Sequence, residues 1–301
     1  MKNIFYVTIA CLVSLIITGC PDSNKSDKIT SKSKLSIVVT IPPQKSIVQA
    51  IAGRINADIT IMVPPGREPH DYQPTPKQVL ALYNSDVYFE IGLPFEKTLL
   101  SKIQKKNIKT DFIDMCKNLI PQLTYINGKS TIDPHVWLSP VKLKILSTNT
   151  LNALVKLMPK RRTYFKENYK AYIKKIDEVY KELTILLKPF RGETFFVFHP
   201  AFSYFATDFG LKQEAVEIEG KAPTPKELFN LIKKAKSKGV NIIFVEPQFS
   251  QKSAQALAEA IHGSVISINP LSENILSNLL DIAKKIKVSF LDLGNNNPQK
   301  I

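Results

Sequence analysis

From residue 35 onward, short apolar runs alternate with amphipathic stretches. Leu35–Thr40, Asp58–Val63, Val87–Gly92 and Phe112–Met115 are rich in β-branched and aromatic residues and read as buried strands. Gln44–Ala52, Pro76–Tyr83 and Phe95–Lys105 lie between them and read as helices. Strands alternating with helices predict a parallel sheet. The pattern then changes. From Pro159 to Leu187 there is no Gly and no strand run, and Tyr169, Tyr172, Ile173, Ile176, Val179, Tyr180 and Leu183 recur at helical spacing. One long helix is predicted there, ending before Pro189, with a shorter helix over Pro140–Met158 ahead of it. Alternation then resumes. Thr194–Phe198, Leu211–Ile218, Asn241–Val245 and Ser264–Ile268 read as strands, and Pro225–Lys238, Gln251–His262 and Leu271–Lys287 as helices. The tail from Gly294 is expected to fray. The chain thus reads as an α/β protein: a strand-helix half, a long helix, and a second strand-helix half.

A short internal echo supports two like halves. Pro74-Thr75-Pro76-Lys77-Gln78 recurs as Pro223-Thr224-Pro225-Lys226-Glu227, each time after the second strand of a half. In both, Thr can cap a helix, Pro takes the first helical position, and Gln or Glu three residues after Thr completes a capping box.

The first 20 residues follow another logic. Lys2 precedes an apolar run from Ile4 to Ile17, too short to cross a bilayer comfortably and suited to the core of a secretory signal. It ends in Ile17-Thr18-Gly19-Cys20, which resembles a bacterial lipobox with Cys20 as the lipidated residue. The polar, Ser- and Lys-rich stretch after Cys20 reads as a flexible tether. The expected organisation is a signal peptide over 1–19, a lipid-anchored tether over 20–34, an N-terminal lobe over 35–158, a linking helix over 159–188 and a C-terminal lobe over 189–301. Acyl chains on Cys20 would hold the protein to a membrane, facing the periplasm or the cell exterior.

Composition narrows the class further. A chain of 301 residues, 44% hydrophobic and 22% charged, fits about two ordinary globular domains. Cys11 leaves with the signal and Cys20 is acylated. Cys116 is then left without a partner, and no disulfide is expected. The net charge of +15 comes mostly from lysines spread along the chain. Without a concentrated stripe or motif they do not make a nucleic-acid reader, and no nucleic-acid partner is expected. They read as solvated helix faces, with attraction to an anionic membrane surface as the alternative.

Chemistry concentrates at three of the four histidines, His70, His135 and His199. His70 lies in a Pro-rich stretch past the second strand, His135 before a helix, and His199 at the end of an apolar strand. Pro69, Pro134 and Pro200 flank the three rings and fix the local backbone. Ligands of open α/β sheets bind outside the carboxyl ends of strands, where His70 and His199 are expected. Converging imidazoles would suit Zn²⁺ better than Mn²⁺ or Fe²⁺. The spacing alone matches no compact ligand motif and favours separate histidines over a shared site. His262 at a helix end, Trp137 and the aromatics over 202–209 read as structural, and Cys116 as a buried small hydrophobe.

The segments VPPGREPHDYQPTP, DPHVWLSP and FHPAFSYFATDFG, with the lipobox and the mid-chain helix, resemble the zinc- and manganese-binding lipoproteins of bacterial ABC importers. The resemblance implies two lobes, each a four-stranded parallel sheet with helices, joined by one rigid helix, with metal in the cleft between them. It implies a monomeric carrier, not an enzyme, that delivers its metal to a permease and its ATPase, with His70, His135 and His199 as ligands. The family's fourth ligand, an Asp, corresponds here to Asn269 in Ile268-Asn269-Pro270-Leu271, a neutral and poorer donor. The fourth position therefore falls to Asn269, to water, or to a carboxylate such as Glu68 or Glu246, with Glu246 favoured as an orienting partner. All-imidazole ligation and the loss of the Asp lean to zinc over manganese or iron, although the His-rich loop of zinc importers is missing before His135. A three-His zinc hydrolase or lyase, and an added adhesin role, are the alternatives.

Overall fold

The computed structural model describes residues 34–103, 108–126, 129–216, 224–249 and 251–295. The lipobox and tether readings lie outside them. In chain order the elements of the first half are β1 Leu35–Val39, α1 Pro42–Ala52, β2 Ala57–Ile61, α2 Pro76–Tyr83, β3 Val87–Glu90, α3 Pro94–Ile103, β4 Asp111–Asp114, β5 Leu123–Ile126 and β6 Lys129–Ile132. Then follow α4 Pro140–Leu157 and α5 Arg162–Leu187. The second half holds β7 Thr194–Val197, α6 Ser203–Phe209, β8 Lys212–Ala215, α7 Pro225–Ser237, β9 Ile242–Val245, α8 Gln251–Ala260, β10 Ser264–Ser267 and α9 Ile275–Asn295.

Two four-stranded sheets result, ordered β2-β1-β3-β4 and β10-β9-β7-β8, and every pairing in them is parallel. Read from its other edge, the second sheet runs β8-β7-β9-β10. Both sheets therefore order their strands second, first, third, fourth, and the two halves share one topology. The Thr-Pro echo falls at the same place in each, ahead of the helix that follows the second strand. At α2 the capping box forms: Thr75 accepts the Gln78 amide and Gln78 Oε1 accepts the Thr75 amide. At α7 the Leu228 amide bonds the Thr224 carbonyl. Strands β7 and β9 (TFFV and IIFV) are buried along their whole length, as parallel strands covered on both faces must be.

Helix α5 buries Phe165, Tyr172, Ile176, Leu183 and Leu187, a stripe that packs on α1, α4 and α9. One continuous apolar core runs from the first sheet through α5 to α9 and the inner face of the second sheet. A smaller core lies between β9, α8 and the outer face of that sheet.

Several boundaries differ from the sequence reading. The linking helix opens as a 3-10 turn over Pro159–Arg161, because Pro159 supplies no amide and fixes the backbone angle. The final helix starts at Ile275 rather than Leu271, because Asn269 and Pro270 set a turn there, and it continues to Asn295, past Lys287. The rest of the tail lies outside the described residues. The antiparallel hairpin β5–β6 and helix α6 were not anticipated. Cys116 is half-buried rather than buried. Its thiol donates to the Ile91 carbonyl, and burial pushes its pKa up to about 12.

Candidate metal centre

Three loops carry the histidines to one point. His70 sits in the stretch between β2 and α2, where Glu68 Oε1 accepts its backbone amide at 2.7 Å. His135 ends the segment after β6 and opens a 3-10 turn over Val136–Leu138 that leads into α4. His199 lies two residues past β7 and is followed at once by Pro200 and a bond from the Ala201 amide back to the His199 carbonyl.

The three Nε2 atoms face each other. His70 and His135 are 3.1 Å apart at Nε2, and His199 and His135 are 3.2 Å apart. All three donor atoms lie within 4.8 Å of one another. A tetrahedral ion with metal–nitrogen bonds of about 2.0–2.1 Å would hold its ligand nitrogens roughly 3.3 Å apart. The observed spacing therefore suits a shared ion. A cavity of about 10 Å³ sits among the rings, the room of a single small occupant, walled by Glu68, Trp137, Gln248 and Phe249. Behind His70 a larger cavity of about 810 Å³ opens between α2 and α3, lined in part by Tyr72, Tyr83, Phe95 and Lys102.

The surroundings hold the rings in place. His135 and His199 are only 5% and 8% exposed. Asp133 Oδ1 accepts the His135 Nδ1 proton at 2.7 Å and the His135 amide at 2.9 Å, which leaves Nε2 as a lone pair aimed at the other rings. Asp133 is itself held by the Ser203 hydroxyl on its second oxygen. Burial would raise the Asp133 carboxyl, but its hydrogen bond to His135, the nearby imidazole charge and Ser203 hold it below its ordinary value. Trp137 meets the His135 ring edge-on at 5.3 Å and anchors its own Nε1 on the Pro270 carbonyl at 2.8 Å. Phe249 stacks on His199 with centroids 4.8 Å apart. Burial, with like charge from His135 and His199, pulls the His70 pKa down to about 2, so the ring is neutral at ordinary pH.

The carboxylates of Glu68 and Glu246 are not part of this group of donor atoms. Asn269 Oδ1 accepts the Leu271 amide at 3.0 Å and a Gln248 Nε2 proton at 3.4 Å, so its oxygen closes a local turn. Glu246 is fully buried just past β9, and its Oε2 accepts the His199 amide at 3.3 Å. Glu68 walls the cavity. Asp133, Ser203 and Phe249 were missed as site residues. Asp133 had a visible cue, an acid two residues before a candidate ligand, whereas Ser203 and Phe249 reach the site only through the fold.

The description of one protein family, the periplasmic zinc-uptake complex component A (ZnuA), matches residues 37–287. The chain belongs to this family. The ZnuA high-affinity zinc uptake protein of Bacillus subtilis is 30% identical over 284 residues, which is 88% of this chain and 87% of that protein. The zinc-binding lipoprotein AdcA of Streptococcus pneumoniae is 29% identical over 291 residues, covering 90% of this chain but 56% of its own length. The chain thus spans about half of that streptococcal relative. A zinc-bound crystal structure of a ZnuA deletion mutant superposes with a TM-score of 0.79 at 35% identity, covering 85% of this chain and 97% of that one. The ZnuA fold accounts for the paired sheets and the long helix. It also makes the ZnuA relatives the natural reference for the histidine triangle.

Proposed function

We propose that this protein captures Zn²⁺ outside the cytoplasmic membrane and delivers it to an ABC permease driven by its ATPase. The observation that carries the reading is the convergence of three imidazole Nε2 atoms, two of them on buried rings, at the spacing of zinc ligands. Zinc is the cargo, held by His70, His135 and His199, with a water molecule in the fourth position. Asn269 shapes the adjoining turn, and Glu246 holds the His199 loop. Manganese and iron are poorer fits, because both favour more oxygen donors than three imidazoles leave room for. The protein acts as a monomeric carrier without turnover, tethered through a lipid on Cys20, with lobes over 35–158 and 189–301 joined by 159–188. Zinc requires neutral imidazoles, so affinity falls as pH drops through the imidazole range.

Calorimetric titration of the chelator-stripped protein with Zn²⁺ and Mn²⁺ tests this. One zinc per chain with sub-micromolar affinity and weak manganese binding is expected. His135→Ala lowers zinc affinity by at least two orders of magnitude, and Asn269→Ala changes it only a few-fold. Manganese binding as tight as zinc, or a loss in Asn269→Ala equal to that in His135→Ala, overturns the assignment.

A further inference from the structure

The linking helix carries a charge pattern that does not serve the helix. Its first half and the turn before it hold Lys160, Arg161, Arg162, Lys166, Lys170, Lys174 and Lys175 against the single carboxylate Glu167. Asp177, Glu178 and Glu182 lie in its second half, with Lys181 between them. A helix dipole favours acids at the N-terminus and bases at the C-terminus, and here the order is reversed. The first turn of α5 holds no acid and the last turn no base. Arg162, Lys166, Lys170 and Lys174 also follow each other at four-residue steps, where like charges repel across one face. All seven cations are exposed. Among the described residues only Lys174 has an ion pair, a 4.0 Å contact with Glu178. A pattern that costs helix stability and leaves six of its seven cations without an ion pair among the described residues points to an outside partner.

Its position identifies the kind of partner. The start of α5 lies at the amino end of the first sheet. Tyr164 accepts the Arg54 amide at 2.8 Å, and Asn168 donates to the Ile51 carbonyl at 3.1 Å. Two residues beyond Arg54, the Asn56 carbonyl accepts the Leu35 amide at 2.8 Å. The chain from Cys20 therefore joins the folded part at Lys34, beside this basic pole. The carboxylates of the same pole are engaged: Asp58 with Lys34, Asp111 with Lys156, and Asp86 with the Ser36 amide. The histidine site lies at the opposite, carboxyl end of the sheet.

We propose that this basic pole, formed by Arg54 and the cations over 160–175, docks on the surface of an anionic phospholipid bilayer and turns the histidine cleft away from it. The proposal rests on the reading of the chain as an exported carrier tethered at Cys20. It adds a parked orientation in which the cleft samples the surrounding medium. Charge complementarity supplies the attraction, at roughly fivefold in partitioning for each cation brought to the surface.

The test uses residues 20–301 with Cys20→Ala, so that no acyl chain contributes; from Lys34 on, the chain forms a compact unit of its own. Co-sedimentation with phosphatidylglycerol vesicles, with phosphatidylcholine vesicles as reference, is measured at 20 and 300 mM salt. Binding is expected to phosphatidylglycerol only, and to vanish at high salt. The quadruple variant Arg162→Gln, Lys166→Gln, Lys170→Gln, Lys174→Gln should bind at least a hundredfold more weakly. A control removing as much charge elsewhere, Lys226→Gln, Lys233→Gln, Lys236→Gln, Lys284→Gln, should bind nearly as the parent does. Lysine acetylation footprinting should show vesicles protecting Lys166 and Lys170. Equal losses in the two quadruple variants, protection elsewhere, or no phosphatidylglycerol binding overturns the proposal. Zinc titration of each variant separates these results from misfolding and from failure of the zinc assignment, because the basic pole does not touch the histidines.

Discussion

At the scale of single residues, the site depends on what holds each imidazole as much as on the imidazoles. Asp133 fixes the tautomer and direction of His135 through two bonds to the same residue. Replacing it, as Asp133→Asn, keeps the ligand but loosens its aim, and zinc affinity should drop about 10- to 100-fold by competition with a chromophoric chelator. His70 also sets a pH dependence for the metal-free fold. His70 has a folded-state pKa near 2 against 6.5 when unfolded. Between those values the unfolded chain binds more protons, so stability falls as pH is lowered through 6.5. Asp133, held below its ordinary value, shifts stability in the same direction at lower pH. Thermal unfolding of the metal-free protein should give a lower Tm at pH 5 than at pH 7.5, with the gap narrowed in His70→Gln. A Tm that rises on acidification would contradict it. Of these residues, the three histidines were singled out as a ligand set only by the family resemblance of their segments; the prolines beside them and their places relative to the strands left separate histidines open. Asn269 was legible as a residue but not in its role, because nothing local shows that its side-chain oxygen is taken by the Leu271 amide.

At the scale of elements, a buried carboxylate organises the carboxyl edge of the first sheet. Glu96, in the first turn of α3, accepts the amides of Ile91, Gly92 and Leu93 and the hydroxyls of Thr40 and Tyr88. Gln44 in α1 closes the neighbouring turn by accepting the amides of Thr40 and Ile41. These bonds pin the ends of β1 and β3 that frame the cleft. Glu96→Ala strands several buried donors and should cost about 3 kcal/mol in chemical denaturation, with Glu96→Gln intermediate because its amide turns donors toward donors. Parallel strands and amphipathic helices were read correctly in existence and order, since their periodicity is a local property. The β5–β6 hairpin was missed although Asn127-Gly128 sits between its strands. Leu123 and Ile132, which face each other across the hairpin, are exposed at 60% and 57% and so belong to no core face. Helix α6 was missed because Tyr204, Phe205 and Phe209 are all buried, and a short run of aromatics does not reveal its period.

At the scale of the whole molecule, the two halves are bound by more than α5. Lys45 pairs with Glu273 at 2.9 Å, Trp137 bonds Pro270, and the Tyr204 hydroxyl donates to the Asp133 carbonyl at 3.1 Å. With a continuous core running along the linking helix, the lobes have little freedom to swing. Small-angle scattering with and without zinc should show a change in radius of gyration below about 1 Å. A larger change would mean that α5 bends or the two halves separate.

The class of the fold, the order of its elements, the likeness of its halves and the unusual settings of three histidines were legible along the chain. All of these are written in local periodicity, turn chemistry and short motifs. The folded arrangement alone brings three histidines, 65 and 64 residues apart, to one small cavity. It also shows that Asp133 accepts the Nδ1 proton of one of them, that the Asn269 oxygen accepts the Leu271 amide, and that the start of α5 packs beside Arg54 at the amino end of the first sheet. Those facts depend on how distant segments meet, and side-chain direction at such meetings is set by packing and hydrogen bonds that no local stretch of chain contains.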